Sequence, residues 1–305
     1  MSFDYDSKIS KAVQQVPPSA IRKFFDLANE MKGHVISLSI GEPDFVTPWS
    51  IREAAINSII DGYTHYSPNS GYIDSRNAIA DYLKRRYGVS YDPKSEILVT
   101  VGGSEGLDLA ARALINPGDE VIIVEPCFVA YKATVEFAHG IPVIVETKPE
   151  NNYKLMPEEL EAAITDKTKY VIVGYPNNPT GAVMTLEDWA KIKDVLMRHP
   201  EIIVLSDELY CELNYLDGKP ASLTQFAELR DRVVMVNGFS KSYAMTGFRV
   251  GYLAGPKELI SPMVKIHQYC IMCAPSTSQL AVIEAAMNSD NEIKKMRDEY
   301  NHRRR

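Results

Sequence analysis

Cysteine is scarce in this chain: four among 305 residues, at Cys127, Cys211, Cys270 and Cys273. So few thiols exclude a densely cross-linked secreted scaffold and suit a reducing compartment. Cys270 and Cys273 have the spacing of a metal or redox pair, but no second pair accompanies them and the six histidines are scattered. Buried structural thiols, and no metal site, are the expectation. Long hydrophobic runs are also missing, since the apolar stretches have strand length and none would span a membrane. Met1 to Lys8 is acidic and polar, without the apolar centre of a signal peptide, which makes a cytoplasmic location the default. Positive charge is not in excess either. A formal net charge of -7 argues against a nucleic-acid partner. Internal repeats, low-complexity segments and Gly/Ser linkers are absent from the sequence.

What is present is an ordinary globular composition, 45% hydrophobic and 24% charged, in a length that suits one large domain and part of another, or two medium ones. Pro17-Pro18 breaks the N-terminal segment, after which a helix is expected from Ile21 to Met31 and a strand from Val35 to Ile40, ending at Gly41. Helical patterns follow at Trp49 to Asp61 and Asp74 to Tyr87, on either side of a polar, aromatic loop that contains Tyr66. From Ile97 onward strands and helices alternate. Strands are expected at Ile97–Val101, Glu120–Val124, Pro142–Val145, Tyr170–Val173, Ile202–Leu205, Val233–Val236 and Arg249–Ala254. Helices are expected at Glu105–Leu114, Pro157–Ile164, Leu186–Arg198 and Pro275–Met287, with another from Glu292 that is cut short at Arg305. Continuous apolar strands alternating with helices predict an α/β fold, a parallel sheet covered on both faces.

The chemistry gathers where strands stop. Val233–Val236 ends at the turn residues Asn237 and Gly238, and Lys241 follows at once. Eight residues on, Arg249 lies between Gly247 and Gly251, where little bulk would hinder an anion. A lysine whose pKa falls on burial can attack an aldehyde, and an arginine grips a phosphate with two parallel bonds. An aldehyde that carries a phosphate is pyridoxal phosphate. Solvated surface charges remain an equal reading of this stretch alone. Ile97–Val101 breaks at Gly102-Gly103-Ser104 and passes into a helix at Glu105, a geometry that offers backbone N–H groups to phosphate. The third glycine of a dinucleotide fingerprint is missing, which disfavours a nicotinamide dehydrogenase. Two further strands end in Tyr175-Pro-Asn-Asn178-Pro-Thr-Gly181 and in Ser206-Asp207-Glu208-Leu-Tyr210. Turn formation and helix capping would each explain one of these, but not their joint occurrence at equivalent strand ends.

Together, Gly102-Gly-Ser-Glu105, Asn178-Pro-Thr-Gly181, Ser206-Asp-Glu-x-Tyr210 and Ser240-Lys241 with Arg249 resemble the class I/II aminotransferases of the aspartate aminotransferase superfamily, fold type I of the pyridoxal-phosphate enzymes. The resemblance runs from Ser39-Ile-Gly41-Glu-Pro43 to the end of the chain. It implies an N-terminal arm and part of the small domain over 1–45, a large cofactor domain over 46–287 and, over 288–305, the start of an interdomain helix and truncated C-terminal small domain. By the same resemblance Lys241 forms the internal Schiff base and shuttles the substrate proton, and Asp207 pairs with the pyridine nitrogen. Tyr210 and Asn178 hydrogen-bond the ring's phenolate oxygen, and Phe128 stacks on the ring. Gly103, Ser104, Glu105, Ser240 and Arg249 hold the phosphate, Glu105 through its backbone N–H only, because its carboxylate would repel the anion. Gly41 lies against the substrate's α-carboxylate. Tyr66 reaches the phosphate of a partner subunit, which implies a homodimer.

The implied reaction moves an amino group from an amino acid to a 2-oxo acid, with 2-oxoglutarate as the usual acceptor. A β-lyase on the same scaffold stays open, as does a protein that binds the cofactor without catalysis. Two departures from the family pattern stand out. Gly238 occupies the place where many relatives carry a hydroxyl for the phosphate. The arginine expected to bind the substrate carboxylate falls beyond Arg305, so the expectation is a truncated chain that holds cofactor and transaminates poorly.

Overall fold

The computed structural model describes residues 3–18, 24, 27, 30–31, 41–216 and 218–305. The helix expected from Ile21 to Met31 lies mostly outside these residues, and the strand from Val35 to Ile40 wholly so. In chain order the elements are α1 (Lys11–Gln15), α2 (Trp49–Ile60), α3 (Ile73–Tyr87), β1 (Ile97–Thr100), α4 (Gly102–Leu114), β2 (Glu120–Glu125), α5 (Ala130–Phe137) and β3 (Ile141–Glu146). They continue with α6 (Pro157–Ala163), β4 (Thr168–Gly174), α7 (Leu186–Arg198), β5 (Ile203–Asp207), β6 (Val233–Gly238), β7 (Gly251–Ala254), α8 (Lys257–Cys270), α9 (Ser276–Asn288) and α10 (Asp290–Arg303).

The strands form one seven-stranded sheet in the order β1-β7-β6-β5-β4-β2-β3. Both faces are buried, and period-two alternation sorts the side chains between them. In β6, Val234 and Val236 pack on one face with Leu107 and Leu109 of α4, Val135 of α5, and Ile260 and Met263 of α8. Val233 turns to the other face, where Trp189, Ile192 and Val195 of α7 cover it. Met235 turns the same way, toward Ile79 and Leu83 of α3 and Val282 of α9. Burial on both sides explains why these strands read as unbroken apolar runs rather than as alternating ones.

The sheet is mostly parallel, but β7 runs antiparallel to both β1 and β6. Its start also differs from expectation. Arg249 adopts φ 51 and ψ 57, the left-handed region, at the end of the 3-10 turn Thr246–Phe248, and the strand begins at Gly251. Asn237 and Gly238 are not turn residues. They extend β6 and pair with Tyr252 and Gly251. Helix α4 begins at Gly102, so the glycine pair forms its first turn rather than preceding it.

Helices α1, α5 and α8 are not among the helices expected from the sequence. Helix α8 carries Pro262 in its interior, a residue that ordinarily marks a helix end. The expected burial of the CxxC thiols is also wrong. Cys270 is exposed and Cys273 half-buried, because α8 ends at the surface beside α4, where Arg112 Nη1 donates to Cys270 Sγ at 3.0 Å. Among the described residues no helix is long and apolar enough to cross a membrane.

Candidate active site

The parallel strands β4, β5 and β6 end side by side, and each delivers a polar segment to the same edge. Asp207 closes β5. It is 7% exposed, and its two oxygens each accept one hydrogen bond, Oδ1 from Leu209 N at 3.1 Å and Oδ2 from the Tyr131 hydroxyl at 2.7 Å. Burial pushes this carboxyl above the usual range, and the two donors oppose that rise by stabilising the charged form. Tyr210 lies one turn further on. Asn178 Nδ2 donates to its hydroxyl at 3.4 Å, which brings the segment after β4 to the segment after β5. Burial, with the charge of Asp207, raises the Tyr210 pKa, and Asn178 offsets part of this.

Lys241 enters from the segment after β6. Its Nζ lies 5.8 Å from the centre of the Tyr210 ring and donates to the carbonyl oxygen of Gly41. Burial lowers the amine's pKa, Glu42 partly restores it, and the neighbouring charge of Arg249 lowers it further. A lowered pKa increases the neutral, nucleophilic fraction. Tyr210, and through it Asn178, are therefore brought to this lysine, while Asp207 stands at the end of the adjacent strand. Phe128 stands nearby at the start of the segment leading into α5, edge-on to Tyr131 with ring centres 5.9 Å apart.

The other side of the site is the start of α4. No side chain caps this helix, so its first-turn N–H groups keep their capacity for an outside acceptor. The backbone there is packed as closely as glycine allows. Gly102 has φ +77, and a Cβ on it would lie 2.8 Å from Arg249 Nη2. A Cβ on Gly251 would lie 2.8 Å from both Gly102 C and Gly103 N. The guanidinium of Arg249 thus sits directly beside the N-terminus of α4, which is an arrangement for a dianion such as a phosphate. Glu105 folds its carboxylate back onto the backbone at that end. Its Oε2 accepts from Val101 N, and its Oε1 lies 2.8 Å from His267 Nδ1. Ser104 is exposed at the first turn, whereas Ser240 is buried with no hydrogen bond from its hydroxyl among the described residues.

Tyr66 is not brought to this cluster. It is 81% exposed, on a loop fixed by Gln279, whose amide donates to Ser67 Oγ and accepts from Tyr72 N. Two residues of the site escaped the sequence reading, Tyr131 and His267. Each meets its partner from a distant helix that no local motif announces.

The chain belongs to the class I and II aminotransferases: the model of that family, described as aminotransferase class I and II, matches residues 33–305. It is an enzyme of the transaminase type. Over 298 residues it is 48% identical to the Bacillus subtilis protein named "Putative aminotransferase YugH", spanning 98% of this chain and 76% of that one. Over 299 residues it is 42% identical to an aspartate aminotransferase of Pyrococcus abyssi, spanning 97% of this chain and 76% of that one. The solved structure of the Thermus thermophilus aspartate aminotransferase with maleate matches at a TM-score of 0.92 and 37% identity, covering 97% of this chain and 78% of that one.

Proposed function

We propose that this enzyme moves an amino group from an L-amino acid to a 2-oxo acid, with 2-oxoglutarate as acceptor, using pyridoxal phosphate attached at Lys241. One observation carries the reading: a partly desolvated lysine amine and a buried carboxylate stand at the ends of adjacent strands, and the guanidinium of Arg249 flanks an uncapped helix start. A cofactor with an aldehyde, a basic ring nitrogen and a phosphate matches that donor set, and the glycine cradle leaves room for close approach. When bound, pyridoxal phosphate supplies a ring that accepts electrons from the bond broken at the substrate's Cα.

The protein's residues have separable tasks. Gly103, Ser104 and Glu105 would bind the phosphate through backbone N–H groups, with Ser240 near and Arg249 as countercharge. Asp207 would hold a proton on the ring nitrogen, a task that requires a carboxylate rather than a neutral acceptor. Tyr210 and Asn178 would donate to the ring's oxygen, and Phe128 would cover one ring face and exclude water. Lys241 Nζ, released when substrate takes its place, would move the proton from the substrate's Cα. Gly41 would lie against the substrate carboxylate. Tyr66 is exposed, as are Trp49, Ile59, Ile60 and Met272, and a homodimer in which Tyr66 serves the partner's phosphate would account for its exposure.

The test is an absorption spectrum of the purified chain with pyridoxal phosphate, then borohydride reduction and peptide mass mapping. The expected result is a visible band and a cofactor mass on the Lys241 peptide, both lost in Lys241→Ala. Amino donors are then screened with 2-oxoglutarate. A folded chain that shows no band, or a mass fixed on another lysine, overturns the assignment.

A further inference from the structure

The two hydrogen bonds to Asp207 differ in origin. The Leu209 N–H is local, two residues along the turn that leaves β5. The Tyr131 hydroxyl arrives from α5, 76 positions away in sequence, and makes the shorter bond at 2.7 Å. Beside the Tyr131 hydroxyl lies Gly174, the last residue of β4, which pairs with Asp207 across the ladder. A Cβ on Gly174 would collide with Tyr131 Oη, yet its next neighbours would be Tyr131 Cζ at 3.4 Å and Asp207 Cβ at 3.6 Å, ordinary contacts. The hydroxyl therefore occupies the space that any side chain at position 174 would take, and it alone creates the conflict.

We propose that Tyr131 is a positioning residue, and Gly174 the gap that admits it, which together hold the Asp207 carboxylate ionised and correctly turned toward the cofactor's ring nitrogen. The inference rests on the pyridoxal phosphate reading above. A carboxylate oxygen that accepts one hydrogen bond keeps a second lone pair, so Tyr131 does not compete with the nitrogen for Asp207. Burial of Tyr131, next to the charge of Asp207, pushes the phenol's pKa well above its ordinary value, and it stays a donor throughout the working range. Without it, the single backbone N–H of Leu209 would be left to oppose the desolvation of a buried carboxylate.

The test compares four full-length proteins: wild type, Tyr131→Phe, Gly174→Ala and the double variant. For each, the Kd of pyridoxal phosphate is measured by fluorescence titration, together with the pH midpoint of the bound cofactor's visible band and the melting temperature. Loss of a hydrogen bond to a charged group should raise the Kd about tenfold or more in Tyr131→Phe. The band's midpoint should move to higher pH, because a ring nitrogen held less firmly protonated withdraws fewer electrons. Gly174→Ala should do the same by displacing the hydroxyl. In the Tyr131→Phe background the extra methyl meets only ordinary contacts, so it should change the Kd by less than about twofold, a clear failure of additivity.

An unchanged Kd in Tyr131→Phe overturns the inference. So does a raised Kd with an unmoved band midpoint, which would make Tyr131 merely structural, and so do additive effects in the cycle. A wild type that binds no cofactor is a different failure. It would remove the proposed function itself, and this inference with it.

Discussion

Glu105 and His267 are joined at 2.8 Å, Oε1 to Nδ1, with an imidazole that no solvent reaches. The contact ties α8 to the first turn of α4, while Glu105 Oε2 accepts from Val101 N at the helix start. Glu105 thus links the N-cap of α4 to α8. His267→Leu should leave a carboxylate oxygen unpaired, costing about 1–3 kcal/mol in urea unfolding. It should also weaken pyridoxal phosphate binding, since the first turn is no longer pinned. His267→Gln keeps a donor and should recover most of the loss. Equal stability of His267→Leu and wild type would show that the pair holds nothing in place.

The contact between Gly251 and the Gly102–Gly103 peptide makes a second prediction. A methyl at 251 would meet backbone atoms at 2.8 Å, and backbone cannot swing aside as a side chain can. Gly251→Ala should therefore push β7 and the start of α4 apart, with a cost of about 1–3 kcal/mol. The displaced helix start should bind inorganic phosphate more weakly, measured by its protection of the protein against thermal unfolding. Full phosphate protection in this variant would place the anion elsewhere.

Glu208 offers a test with a defined pH window. Its carboxyl is buried, Oε1 accepts from Ser206 Oγ at 2.8 Å, and Oε2 has no partner among the described residues. Burial pushes its pKa from 4.5 up to about 7. Between those values the folded chain keeps a proton that the unfolded chain has lost, so stability is full below 4.5 and falls as pH rises through 7. At roughly 1.4 kcal/mol per pH unit the loss is about 3 kcal/mol. Glu208→Gln stays neutral at every pH and can accept from Ser206. It should match wild type near pH 4 and exceed it by about that amount near pH 8. Parallel stability curves for the two proteins would count against the burial argument.

Most of the sheet and the site's motifs were legible because their signals are local. Val233–Val236 announces a buried strand, and Lys241, Asp207 and Asn178 each stand within a few residues of a strand end. Strand direction is not local. Period-two burial looks the same in either sense, so nothing in Tyr252, Leu253 and Ala254 shows that β7 runs antiparallel. Helix α8 was obscured by Pro262, whose local preference tertiary packing of Ile260 and Met263 overrides. Tyr131 and His267 were invisible for a related reason: their partners lie 76 and 162 positions away, and a lone tyrosine or histidine on a helix carries no distinguishing pattern. Cys270 shows the reverse error, where apolar flanks and the lack of a second cysteine pair led to an expectation of burial that the end of α8 at the surface does not meet.

The last prediction concerns the charge environment of Lys241. Burial is the main cause of its lowered pKa, Glu42 raises it, and Arg249 lowers it further. In the window between the depressed value and the ordinary 10.5, the unfolded chain holds a proton that the folded chain lacks. Stability from this group therefore rises with pH across the window, and Lys241→Met should remove that rise. The same ordering applies to reactivity. Arg249→Gln removes a like charge and should move the amine's pKa upward, while Glu42→Gln removes an opposite charge and should move it downward. Trace acylation of the cofactor-free protein, quantified on the Lys241 peptide as a function of pH, reads this midpoint directly. Wild type should lie below 10.5, with Arg249→Gln above wild type and Glu42→Gln below it. Because burial dominates, neither substitution should carry the midpoint as far as 10.5. A wild-type midpoint at or above that value would mean the amine is not desolvated, and its readiness to act as a nucleophile would need another source.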